Sequence, residues 1–192
     1  MERPSPQSVR APIAAPMPPP MAVIVMGVSG SGKSTLGAAL AQALGCRFLE
    51  GDAFHDAPAV DKMAAGHPLT DNDRWPWLDR LGVAIGTTLA ADGLVVAACS
   101  ALKRSYRERL TAAVAAPVRF VLLDNDRGEL MRRIAHRAGH YMPASLLDSQ
   151  LATLERPAAD ERATTLDASE APEALVRIAL DWLRRPLATV QA

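Results

Sequence analysis

Met21-Ala22-Val23-Ile24-Val25-Met26-Gly27-Val28-Ser29-Gly30-Ser31-Gly32-Lys33-Ser34-Thr35 runs from an unbroken apolar stretch into glycine and serine and ends in Lys-Ser-Thr. An apolar run without polar alternation suits a strand buried on both faces of a parallel sheet. The residues after it, TLGAALAQAL from Thr35, have the composition of a helix. Gly27 to Ser34 satisfies GxxxxGK[ST], and a strand before it with a helix behind it is the context in which that pattern has a mechanism. Backbone N–H groups must converge on one concavity and come close to anionic oxygens, which side chains at the glycine positions would prevent. The helix N-terminus adds its dipole. Gly27, Val28, Ser29, Gly30, Ser31, Gly32, Lys33, Ser34 and Thr35 therefore form a candidate nucleotide-phosphate loop. Lys33 is set to reach the β and γ phosphates, and the Ser34 hydroxyl to bind Mg²⁺.

Outward from this loop, short apolar runs recur at residues 47–50, 94–98, 118–123 and 164–167. Helix-period segments lie between them at 33–44, 73–91, 103–115, 126–136, 144–154 and 172–184. Such alternation predicts an α/β fold with a parallel sheet. In the last segment Leu175, Ile178, Ala179 and Trp182 mark a face that covers the sheet. A length of 192 residues with 49% hydrophobic content suits one folded unit.

Lys plus Arg and Asp plus Glu both number 21, so no long-range field draws the surface to nucleic acid or to an anionic membrane. No apolar run approaches the roughly 18 residues of a spanning helix, and the N-terminus lacks a secretory pattern; a cytoplasmic location is expected. Residues 1–20, rich in proline and alanine, read as a disordered leader, with 21–192 as the folded domain and Met21 as a candidate start. The prolines argue against the amphipathic helix of a transit peptide. Cys46 and Cys99 have no CxxC spacing and read as buried reduced thiols.

A phosphate loop does not choose among kinases, ATPases and GTP switches. No NKxD guanine-reading motif occurs, and the chain is too small for most motor ATPases, which leaves the small-molecule kinases. Phe48-Leu49-Glu50-Gly51-Asp52-Ala53-Phe54-His55 puts Asp52 and His55 at the carboxyl end of the second strand, where open α/β sheets bind ligands. Asp52 suits a general base for an acceptor hydroxyl; a helix cap or turn is its plain alternative. The third strand ends without the aspartate that often holds Mg²⁺, so base and metal roles for Asp52 both stay open. Asp61 to Leu81 concentrates charge, proline and tryptophan in a stretch too irregular for a plain core helix. Cys99 to Lys103 follows the third strand and emerges at the same sheet edge as the loop. Arg132, Arg133 and Arg137 form a basic stretch before Gly139.

GVSGSGKST, GDAFH, KMAAGHPLTDNDRWPWL and CSALKRSYRERL, in this order and spacing, resemble the gluconokinase family from about Met21 to the C-terminus. The resemblance implies transfer of the ATP γ-phosphate to the 6-hydroxyl of D-gluconate, with Mg²⁺, giving 6-phospho-D-gluconate and ADP. It also implies a P-loop NTPase fold, nucleoside-monophosphate-kinase-like, with a five-stranded parallel sheet flanked by helices and a lid at about 133–143. Lys33, Asp52, Arg133 and Arg137 are then the candidate catalytic residues. His55, Lys62, Asp73, Arg74 and Lys103 are candidates to bind a substrate with one carboxylate and a row of hydroxyls. Pairing of Arg74 with Asp71 or Asp73 is the plain alternative for that arginine. A homodimer is suggested by family analogy alone. The rivals are a kinase for shikimate or a nucleoside monophosphate, against which DNDRWPWL argues, and a nucleotide-binding regulator without catalysis.

Overall fold

The computed structural model describes residues 20–135 and 144–185. Strands β1 (Met21–Met26), β2 (Arg47–Glu50), β3 (Leu94–Ala98), β4 (Val118–Asp124) and β5 (Ala163–Asp167) form one sheet in the order β2-β3-β1-β4-β5. Every pairing is parallel. Helices α1 (Lys33–Leu44), α2 (Ala57–Ala64), α3 (Asp71–Asp92), α4 (Arg104–Ala112), α5 (Arg127–Ala135), α6 (Ala144–Thr153) and α7 (Pro172–Arg184) flank it.

The apolar run of β1 is buried throughout and serves both faces. Alternate side chains of a strand point to opposite sides. Ala22, Ile24 and Met26 accordingly pack with Trp77, Leu78, Leu81 and Ile85 of α3 and Tyr106 and Leu110 of α4. Met21, Val23 and Val25 pack with Leu36 and Leu40 of α1 and Leu175, Ala179 and Leu183 of α7. A third, smaller cluster joins Val28 to Leu102, Leu130, Ile134 and Leu147 under the carboxyl edge.

Because all strands run the same way, their carboxyl ends share one edge. Residues 27–32, a 3₁₀ turn at Gly51–Phe54, and the segments 99–103, 125–126 and 168–171 all leave the sheet there. The edge is tight where β2 meets β3: a Cβ on Gly51 would lie 2.1 Å from the Ala98 carbonyl oxygen.

Two expectations change in the segment from Asp61 to Leu81. Residues 57–64 form α2, with Asp56 as its N-cap accepting from Ala59 N–H at 3.0 Å and Pro58 in the first turn. The helix expected at 73–91 is α3, which begins two residues earlier, and the stretch read as too irregular for a core helix includes its first three turns, in which Trp77, Leu78 and Leu81 are core residues. Pro76 lies within α3, near enough to its start that few intrahelical bonds precede it. The leader to Pro19, Arg137 and most of the lid at 133–143 lie outside the described residues. Cys99 is buried, whereas Cys46 is only half-buried.

Candidate active site

The loop from Gly27 to Gly32 leaves β1 and enters α1 through Gly32, whose φ of 99° is left-handed and whose lack of a side chain leaves α1 without a side-chain cap. The first-turn N–H groups of α1 therefore face the concavity rather than a capping oxygen. Lys33 Nζ donates to the Val28 carbonyl at 2.9 Å, which folds the ammonium back over the loop. Ser31 is buried, and its Oγ has no hydrogen-bond partner among the described residues. Arg133, on α5, donates from its guanidinium to Glu129 at 2.6 Å and Ala168 O at 2.8 Å, and reaches Ser31 O at 3.5 Å. It thus links the loop to the segment after β5.

Asp52 is exposed in the 3₁₀ turn after β2. The turn is anchored from α3 by Trp77, whose indole N–H donates to Gly51 O at 2.7 Å. His55 stacks on the same Trp77 ring at 4.2 Å between centroids. Its Nδ1 is buried without a partner among the described residues. Burial, aided by Arg74 and Arg80 and opposed by Asp52, lowers the His55 pKa, which keeps the ring neutral near neutral pH. The charges acting on the buried Cys99 thiol are Asp52, Lys33 and Arg74, drawn from three separate segments. Burial pushes that thiol up to about 12, which makes it inert.

Beside the loop lies a cavity of about 260 Å³ lined by Asp71, Arg74, Lys103, Tyr106, Ser149 and Gln150 among others. Lys103 Nζ is 2.8 Å from both oxygens of Asp71, and the Tyr106 hydroxyl donates to Asp71 at 2.5 Å. Lys103 first and Tyr106 second hold the Asp71 carboxyl below its usual range. Arg74 Nε lies 3.4 Å from Leu69 O, and its guanidinium carbon is 5.8 Å from the centre of the Tyr106 ring. Arg74 has no carboxylate within ion-pair distance among the described residues, so its pairing with Asp71 or Asp73 is not what the structure contains.

Asp73 has a local task. Its carboxylate accepts from the Thr70 N–H and hydroxyl, each at 2.7 Å, while Thr70 Oγ1 accepts from Asp73 N–H, a complete capping box for α3. Lys62 Nζ reaches the same oxygen at 2.6 Å. Lys62 and then Thr70 hold the Asp73 carboxyl well below the usual carboxylate range. Lys62 and Asp73 are thus joined to each other at the cap of α3 and do not line the cavity. Arg74 and Lys103 line the cavity, and His55 and Asp52 sit on the turn held by Trp77.

Sequence reasoning missed Asp71, Tyr106 and Gln150. Spacing held a signal for two of them: Asp71 precedes Arg74 by three residues on α3, and Tyr106 follows Lys103 by three at the start of α4, so each is a same-face neighbour of an identified cation.

Residues 23–157 match the family model described as an AAA domain. The chain is 47% identical over 157 residues to the gluconokinase of Gluconobacter oxydans, an alignment spanning 82% of this chain and 88% of that one. The chain belongs to the gluconokinase family. Among solved structures, the gluconokinase from Sinorhizobium meliloti is 48% identical, with a TM-score of 0.76 over 85% of this chain and 91% of its own. An unliganded sugar kinase from Janibacter is 45% identical, with a TM-score of 0.81 over 86% and 95%. The five-stranded parallel sheet is that of the P-loop kinases, as expected, and ATP use follows from membership of this kinase family. Among the described residues no helix is long and apolar enough to cross a membrane.

Proposed function

We infer that the chain is a gluconokinase that transfers the γ-phosphoryl group of ATP to the 6-hydroxyl of D-gluconate, releasing ADP and 6-phospho-D-gluconate. The observation that carries this reading is the cation-lined cavity next to the phosphate loop, with Arg74 and Lys103 in its wall and Asp52 on the neighbouring turn. An acceptor that is a polyol with one carboxylate needs a planar cation for the anion and paired donors and acceptors for its hydroxyls. Arg74, with no carboxylate within ion-pair distance among the described residues, suits the first. Asp71, Lys103, Tyr106 and neutral His55 suit the second.

In the reaction the bond from the γ-phosphorus to the ADP oxygen breaks, a bond to O6 forms, and the O6 proton passes to the Asp52 carboxylate. Lys33 and Arg133 offset charge on the phosphoryl oxygens. Arg137 is assigned to the same task from the family pattern alone. Ser34, half-buried in the first turn of α1, suits a Mg²⁺ ligand, and the bound ion would neutralise the β and γ oxygens. A second cavity, of about 530 Å³, opens at the ends of β4 and β5. The Asn125 side chain there has a buried carbonyl and amide nitrogen with no partner among the described residues, a donor and acceptor pair suited to a nucleobase edge.

The test is ADP release by purified protein with MgATP against D-gluconate, related sugar acids, shikimate and nucleoside monophosphates, with products identified by mass. Stimulation by gluconate with a singly phosphorylated product is expected. Stimulation by another acceptor alone would retain a kinase and reject this pocket assignment, and ATP binding without any stimulated turnover would favour a regulator.

A further inference from the structure

Helix α6 turns Leu146, Ser149, Gln150 and Thr153 toward the acceptor cavity, the i, i+3, i+4, i+7 set of one helix face. Its adjoining stripe packs against the phosphate loop: Leu147 is buried with Val28, Leu102, Leu130 and Ile134, and Leu151, with Leu154 just past the helix end, lies against that cluster. These contacts fix Gln150 between the cavity and the loop. There its Oε1 accepts from the Ser29 N–H at 2.7 Å, across 121 residues of chain.

Ser29 is an interior residue of the GxxxxGK[ST] loop, whose N–H groups serve phosphate oxygens. A neutral amide oxygen from another element thus holds one of the backbone donors of the loop. The other end of the amide, Nε2, can only donate, and no acceptor among the described residues takes it, while the cavity that Gln150 lines needs donors for acceptor hydroxyls.

We propose that Gln150 is a positioning residue coupling nucleotide occupancy to acceptor binding. It holds the Ser29 N–H while the loop is empty, yields it to a phosphate oxygen of ATP, and turns its amide to the hydroxyls of the acceptor. The identity of that acceptor rests on the gluconokinase activity inferred above; the exchange at Ser29 does not.

Two effects of opposite sign follow. Gln150→Met keeps the length of the side chain and removes both polar atoms. ATP titrated into this variant without acceptor meets no competing oxygen, so its Kd falls by about 2- to 10-fold, the net worth of one hydrogen bond. The KM for gluconate at saturating MgATP rises by about the same factor, because a donor to the acceptor is gone. Gln150→Glu keeps the oxygen and sets a negative charge beside the phosphates, so its ATP Kd rises instead. A side chain that merely supported the loop would weaken both ligands together. If in Gln150→Met both constants rise, or either stays put, the proposal is overturned. A wild-type protein that binds ATP but does not phosphorylate gluconate would remove the activity reading, and the two ATP titrations would still decide whether Gln150 competes for Ser29.

Discussion

Asp52 owes its place to the glycine before it. Gly51 brings the end of β2 against Ala98 so closely that a methyl group would strike the carbonyl oxygen at 2.1 Å, and its own carbonyl is held by Trp77. The carboxylate is therefore carried on a turn that cannot drift from the edge of the sheet. If Asp52 takes the proton of O6, Asp52→Asn lowers turnover by about 10² to 10⁴ with the ATP Kd almost unchanged; near-normal kcat in a folded variant would take Asp52 out of the mechanism. Gly51→Ala, which leaves every proposed catalytic group in the chain, forces β2 and β3 apart and moves the turn. It should lower both kcat and the unfolding temperature, measured on the same preparation. A variant with normal kcat would show that the close approach at Gly51 is dispensable for placing Asp52.

At the level of elements, α3 joins the cavity to the core. One side of it buries Trp77, Leu78, Leu81 and Ile85 beneath β1, and its first turn presents Asp71 and Arg74 to the cavity, so the cap at Thr70 sets where Arg74 begins. Thr70→Ala removes one half of the capping box and should cost about 1 kcal/mol of stability, seen in denaturant unfolding, with a rise in the gluconate KM from the loosened first turn. A rise in KM for Asp73→Asn well beyond that for Thr70→Ala would instead point to direct substrate contact by Asp73. The strands were legible because β1 and β3 are apolar on both faces and β4 nearly so, Arg119 excepted, and the phosphate loop because its glycines and lysine have fixed spacing. The start of α3 was legible to within two residues of Asp71; what hid was the division of Thr70 to Pro76 among a cap, a cavity wall and a proline. Helix α2 carried a visible start in Asp56 and Pro58 but only one fully buried residue, Ala59, so its apolar period is faint. Gln150 gave no signal at all, since the neighbour that defines it is 121 residues away.

Across the whole molecule, the cavity edge is tied to the segment between α6 and β5 by a buried ion pair. Arg107 on α4 is 1% exposed at its side chain and Glu161 11%, with two contacts at 2.5 and 2.9 Å. The same guanidinium donates to the carbonyls of Ala101, Leu102 and Glu155. It therefore clamps the segment after β3, where Ala101 takes an unusual φ of 43°, to the segment between α6 and β5. Removing one member of such a pair strands the other in a dry site. Arg107→Met should thus destabilise the fold by about 3–5 kcal/mol, and adding Glu161→Gln should recover part of the loss. The pair also sets an acid limit. Arg107 holds the Glu161 carboxyl below its ordinary value of 4.5. The native state therefore binds that proton less readily than the unfolded chain, and the stabilisation is fully present above pH 4.5 and is lost as pH falls through the depressed folded value. In thermal unfolding followed from pH 6 downward, the wild type should lose stability more steeply below about pH 4.5 than the double variant, which lacks this group. Parallel slopes would mean that the acid response of the molecule comes from its exposed carboxylates, and that the clamp contributes through its hydrogen bonds to Ala101 and Leu102 rather than through its charge.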